Sequence, residues 1–137
     1  MADLATAWTA VQAGIVSAIQ SAWPGVPIDP EPPISAPDGP WVQLRLRQAR
    51  FGFATPLADD VVWEFEIGAR LAAPPTGSLA VARIGAVEAL RAALLTSPVL
   101  NAHGALPLLR EVTFEPEPSG AALALRVVGT CQGTVDR

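Results

Sequence analysis

Trp41-Val42-Gln43-Leu44-Arg45-Leu46-Arg47 and Val61-Val62-Trp63-Glu64-Phe65-Glu66-Ile67-Gly68-Ala69-Arg70-Leu71 both alternate between apolar and polar residues. In the first stretch Val42, Leu44 and Leu46 face one way, and Gln43, Arg45 and Arg47 the other. In the second, Trp63, Phe65, Ile67 and Ala69 oppose Glu64, Glu66 and Arg70. A period of two is the signature of a half-buried strand. For an antiparallel pair to share one apolar face, the numbers of opposed residues must add to an odd value. A value near 111 sets Leu46 against Phe65 and Leu44 against Ile67, and brings Arg45 to Glu66 and Arg47 to Glu64. Opposite charges across strands add about 0.2–1 kcal/mol each. The polar pattern therefore asks for the same register as the apolar one.

Working outward, residues 4–23 predict an amphipathic helix, because Leu4, Trp8, Val11, Ile15 and Ile19 recur at three- and four-residue spacing. Asp3 is its expected N-cap and Pro24-Gly25 its stop. The connection 24–40 holds seven prolines and predicts a stiff, extended segment. Between the two strands, 48–60 reads as a hairpin loop. Thr76-Gly77-Ser78 opens a second helix running to about Thr96, with Val81, Ile84, Val87, Leu90 and Leu94 as its stripe and Ser97-Pro98 as its end. A final hairpin places Val112 and Phe114 on one strand and Leu123, Leu125 and Val127 on the other, turning at Pro116 to Gly120. Its parity allows a value near 237, pairing Phe114 with Leu123, Val112 with Leu125 and Glu111 with Arg126. The expected architecture is α+β, in the order α-β-β-α-β-β. Two helices pack on one face of a four-stranded, mainly antiparallel sheet. Residues 1–137 form a single domain.

Composition narrows the function. A chain of 137 residues that is 50% hydrophobic and 16% charged can bury a full core. No uninterrupted apolar stretch approaches the ~20 residues of a membrane span. Asp3 stands where a secretory leader would be basic, which predicts an intracellular chain. The single Cys131 excludes an internal disulfide. Thirteen acidic residues face nine arginines and no lysine, and the pI is about 4.8. A domain that grips phosphate backbone carries the opposite balance, so DNA is expected only as a passing cargo.

Chemistry-bearing motifs are sparse. His103 is the only histidine and has no ligating companions. Cys131 reads as a strand cysteine, and Asp59-Asp60 is the remaining carboxylate pair to weigh as a cation site. Glu64 and Glu66 have their spacing explained by the arginines opposite them. There is no phosphate-binding glycine loop, no dinucleotide fingerprint and no nucleophile elbow. The expectation is therefore no catalytic residue, no cofactor and no metal. Contact residues stand out instead. Arg50, Phe51, Phe53 and Leu57 combine aromatic, aliphatic and guanidinium groups in the hairpin loop, the composition favoured at interface hot spots. Continued alternation would put Phe51 and Phe53 on the Arg45/Arg47 side. Arg45, Arg47, Glu64 and Glu66 are further interface candidates on the outer sheet face.

Four segments carry a family resemblance. Ala22-Trp23-Pro24-Gly25-Val26-Pro27 ends the first helix, and Pro40-Trp41-Val42-Gln43-Leu44 opens the first strand. Trp63-Glu64-Phe65-Glu66-Ile67 forms a charged alternating strand, and Val81 to Leu95 an Ala- and Leu-rich helix. Over about residues 4–130 this layout resembles the tail terminator and tail-completion proteins of long-tailed bacteriophages and gene transfer agents. The proline-rich connection and the absence of lysine depart from that pattern. The resemblance implies a structural, non-enzymatic virion protein of the tail-neck region, assembled in the host cytoplasm. It implies a homo-oligomeric ring, commonly a hexamer, that caps the tail tube, ends its polymerisation and meets the head–tail connector or stopper. It implies no membrane partner. The alternatives are a head-completion, stopper or adaptor protein below the portal, and a small binding module unrelated to phage.

Overall fold

Asp3 starts the first helix, α1 (Leu4–Ala22), by accepting a 2.8 Å hydrogen bond from the Thr6 backbone N–H. The bond satisfies one of the donors that every helix N-terminus leaves open. The computed structural model describes residues 3–29, 39–74, 76–102, 105–115 and 122–136. After α1 come β1 (Ile28–Asp29), β2 (Trp41–Thr55), β3 (Ala58–Ala72), α2 (Leu79–Leu95), α3 (Pro98–Ala102), β4 (Leu106–Glu115) and β5 (Ala122–Asp136). One sheet runs in the order β1-β2-β3-β5-β4. Its four long strands are antiparallel, and only the two-residue β1 pairs in parallel, with Val42 and Gln43. The expected α-β-β-α-β-β order and α+β class are therefore the observed ones, with β1 and α3 added as short elements.

The core joins the inner sheet face to both long helices. Ile15 and Ile19 of α1, Leu90 and Leu94 of α2, and Leu44, Phe65 and Ile67 of the sheet are all buried in one cluster. Each such side chain contributes about 1.5–3 kcal/mol relative to exposure. Trp8 meets Trp63 at a centroid distance of 5.4 Å, and the Trp23 indole donates to the Ala86 carbonyl at 3.2 Å. Helix α3 exists because Ser97, with Pro98 after it, restarts the chain: the Ser97 hydroxyl accepts from the Leu100 N–H at 3.3 Å. Leu100 then seats against Gly14, where a Cβ would lie 2.6 Å from Leu100 Cδ2.

Several expectations are corrected. The segment 48–60 is no loop. Strand β2 runs on to Thr55 and β3 begins at Ala58, so Pro56-Leu57 alone turns the chain. The first register holds from Val42–Ala69 through Leu44–Ile67 and Arg45–Glu66 to Leu46–Phe65, and then slips, so that Gln48 and not Arg47 faces Glu64. Arg47 is the extra residue of a β-bulge. In the second hairpin Phe114 pairs with Leu125, Val112 with Val127 and Glu111 with Val128, two residues from the expected pairing. A two-residue slip keeps every side chain on its face, which is why parity could not exclude it. The turn expected at Pro116 to Gly120 lies outside the described residues, as does most of the proline-rich connection. On α2, Leu90 and Leu94 are buried as expected, but Val81 and Ile84 are 71% and 65% exposed. Ala82, Ala86 and Ala93 pack inward in their place, letting the helix approach α1 and Trp23 closely.

Candidate functional site

The sheet face away from the helices is built around one carboxylate. Pairing puts Arg45, Glu64, Glu66 and Arg126 on that face. Glu66 Oε2 lies 2.9 Å from Arg45 Nη2 and 4.0 Å from Arg47 Nε, while its Oε1 lies 3.4 Å from Arg126 Nε. Arg47 Nε also reaches Glu64 Oε2 at 3.9 Å, so the bulge keeps the expected ion pair while losing the expected register. The Glu66 side chain is only 13% exposed, whereas the arginines are largely in water. Exposed pairs contribute about 0.2–1 kcal/mol each, so the cluster orients three guanidinium groups more than it stabilises the fold. Trp41 lies beside it, its ring edge 3.9 Å from where a Gly68 Cβ would stand. The side-chain donors Trp41 Nε1 and Gln43 Nε2 are buried and find no acceptor among the described residues.

The second feature is the β2–β3 arm. Because the bulge at Arg47 adds one residue, the strand's alternation inverts beyond it. Phe51 pairs with Val61 and Phe53 with Asp59, so both rings stand on the helix side of the sheet and not on the Arg45/Arg47 side. That is a correction to the expected orientation. They are nonetheless 58% and 67% exposed, and Leu57 at the turn is 78% exposed. Arg50, opposite Val62, shares the outer face with Arg45. The eight contact candidates thus separate into an apolar arm (Phe51, Phe53, Leu57) and a charged outer face (Arg45, Arg47, Arg50, Glu64, Glu66).

Two further exposed apolar groups were not read from the sequence as contact surface. Val81 and Ile84 emerge on α2, and Leu106 and Leu108 on β4, which forms one edge of the sheet. The alternation of Leu106 and Leu108 was the available signal for the latter. Arg91, Leu94 and Leu95 of α2 line a shallow cleft with Pro107, Leu108 and Leu109, which places the outer side of α2 along β4.

Among the described residues, reactive groups do not converge. Cys131 is fully buried opposite Trp63, and burial pushes its thiol up to about 12, away from the nucleophilic thiolate. Asp59 and Asp60 are consecutive in β3 and point to opposite faces. Among the described residues no three His, Cys, Asp or Glu side chains gather where a metal ion could sit, and His103 lies outside those residues. No described helix is long and apolar enough to cross a membrane. No protein-family model matches the chain, and no curated protein matches it.

Proposed function

We propose that this chain is a structural virion protein of the tail-neck region: a tail terminator whose copies close into a ring, a hexamer, on the last ring of tail-tube subunits. The ring ends tube polymerisation, presents its far side to the head connector or stopper, and lets DNA pass. The observation that carries this reading is the asymmetry of the exposed apolar surface. The aromatic arm of Phe51, Phe53 and Leu57 belongs to the β2–β3 end of the sheet, whereas Val81, Ile84, Leu106 and Leu108 belong to the β4 side. Two different patches on one molecule suit heterologous contacts, and those close into rings when the rotation permits. Large exposed apolar groups are otherwise a liability for a monomer. The resemblance of the sequence to tail terminators supplies the rest.

Native mass spectrometry and negative-stain microscopy of the full chain, alone and with polymerising tail-tube protein, test this. The expected result is a closed ring and tube lengths that stop growing when the protein is added. A ring that binds the connector but leaves tube growth untouched would assign the head-completion role instead. A chain that stays monomeric beside growing tubes and turns over a small molecule would overturn the proposal.

A further inference from the structure

The sheet has two unequal open edges. On one side β4 has no neighbouring strand among the described residues. On the other, β1 covers β2 only at Val42 and Gln43, so along 44–55 β2 is paired with β3 on one side and no described strand lies on its other side. Open ladders of this length template strand addition unless blunted. In the sequence between β1 and β2, Pro30, Pro32, Pro33 and Pro37 have no N–H to donate to a ladder. We infer that β4 of one copy adds to the β2 edge of a second copy, so that the two sheets continue as one. The inference rests on the ring reading and specifies how neighbours in the ring meet.

Three independent features fit. The first is direction. Strands β2, β3, β5 and β4 alternate in sense across the sheet. A copy whose sheet continues the first therefore presents its β2 antiparallel to β4, the more stable pairing. The second is charge. The outer face of β4 carries Glu111 and Glu115, neither of which has an ion-pair partner among the described residues, and the outer face of β2 carries Arg45 and Arg50. Pro107 restricts the usable ladder to 108–115. Centring this on 44–55 with outer faces aligned places Glu111 against Arg50 and Thr113 against Gln48. The third is the apolar flank. On the helix side β2 exposes Leu46, Phe51 and Phe53, at 40%, 58% and 67%. The exposed stripe of α2, Val81, Ile84 and Leu95, runs beside β4. In the joined sheet that stripe lies over the neighbour's Leu46, Phe51 and Phe53, and one contact buries both patches.

Cysteine cross-linking of the full chain tests the geometry. Thr113→Cys and Gln48→Cys sit on exposed or half-exposed outer-face positions, and buried Cys131 does not compete. Under mild oxidation the two variants mixed should give a covalent dimer, and neither alone should. A T113C dimer formed alone would mean β4–β4 pairing and would overturn the inference, as would a mixture that cross-links no more than its components. Circular dichroism matching wild type keeps misfolding out of the comparison. Charge reversal provides a second arm: Glu111→Arg should weaken assembly roughly tenfold, and adding Arg50→Glu should restore it. No change with E111R counts against the inference. The outcomes also separate the two proposals. Closed rings without T113C–Q48C cross-links would preserve the ring and remove the edge contact. Cross-linked open chains that never close would do the reverse.

Discussion

At Gly129 a single hydrogen atom decides whether the central ring of the core fits. A Cβ there would stand 2.6 Å from Phe65 Cζ and 3.0 Å from the Leu108 carbonyl oxygen. Phe65 pairs directly across from Gly129 and is completely buried, so the ring has no open space to retreat into. Gly129→Ala should therefore cost about 1–3 kcal/mol, the usual range for overpacking, read from urea unfolding; an unchanged midpoint would show that the glycine does not seat the ring. Cys131 gives a second prediction at this scale. Burial raises its thiol to about 12 from an ordinary value near 9. The folded state then holds a proton that the unfolded chain has lost, so the associated stability is complete below pH 9 and drains away as pH climbs toward 12. The chain has no lysine and no tyrosine, leaving Cys131 as the one side chain that titrates there. Stability should fall by up to about 1.4 kcal/mol per pH unit across that window. A Cys131→Ala variant should lack the slope, and an equal slope in both proteins would refute the assignment.

Among the elements, α2 separates packing from exposure most clearly. Leu90 is fully buried, whereas Val81 and Ile84 stand in water on the same helix. Leu90→Ala should cost about 2–5 kcal/mol. The pair Val81→Ser and Ile84→Ser should stay within about 0.5 kcal/mol of wild type in the isolated subunit while impairing its assembly. Unfolding at low protein concentration measures the first effect, and sedimentation the second. A large loss of monomer stability in the serine pair would mean that the stripe packs within its own chain. The same helix shows what can be read from periodicity. Val81, Ile84, Val87, Leu90 and Leu94 make a convincing stripe, yet the helix rolls toward Ala82, Ala86 and Ala93 because small side chains allow close approach to α1. Hydrophobic spacing identifies a helix, but close packing selects its face. Strand pairing behaves alike. Parity found Leu44–Ile67 and Leu46–Phe65, because a single slip would turn the whole apolar set to water. It could not foresee the bulge at Arg47, which follows from how the two strands settle together and which carried Phe51 and Phe53 to the other face. Elements of two and five residues, β1 and α3, hold too little pattern to announce themselves.

For the molecule as a whole, the decisive quantity is how its arginines are held. The charge is −4, from 13 acidic residues against nine arginines, which by itself disfavours a phosphate backbone. The outer sheet face nevertheless gathers Arg45, Arg47 and Arg126 each within 4.0 Å of the Glu66 carboxylate, an arrangement that would grip DNA if it were unbalanced. Glu66 engages all three, and Glu64 lies within reach of Arg47. The carboxylates therefore mask a basic cluster. If that balance sets the behaviour, wild-type protein should show no retention of duplex DNA even at about 50 mM salt, where non-specific binding is strongest. Glu64→Gln with Glu66→Gln leaves 11 acidic residues against the nine arginines and frees the guanidinium groups without changing side-chain shape. The double variant should acquire weak DNA binding whose affinity falls steeply with salt, at a slope of roughly two to three released counterions. Gel shift and fluorescence anisotropy over a salt series read both quantities. Retention by wild type would show that the face grips nucleic acid already. A double variant as inert as its parent would show that the arginines point elsewhere, and that the acidic pair serves only the sheet.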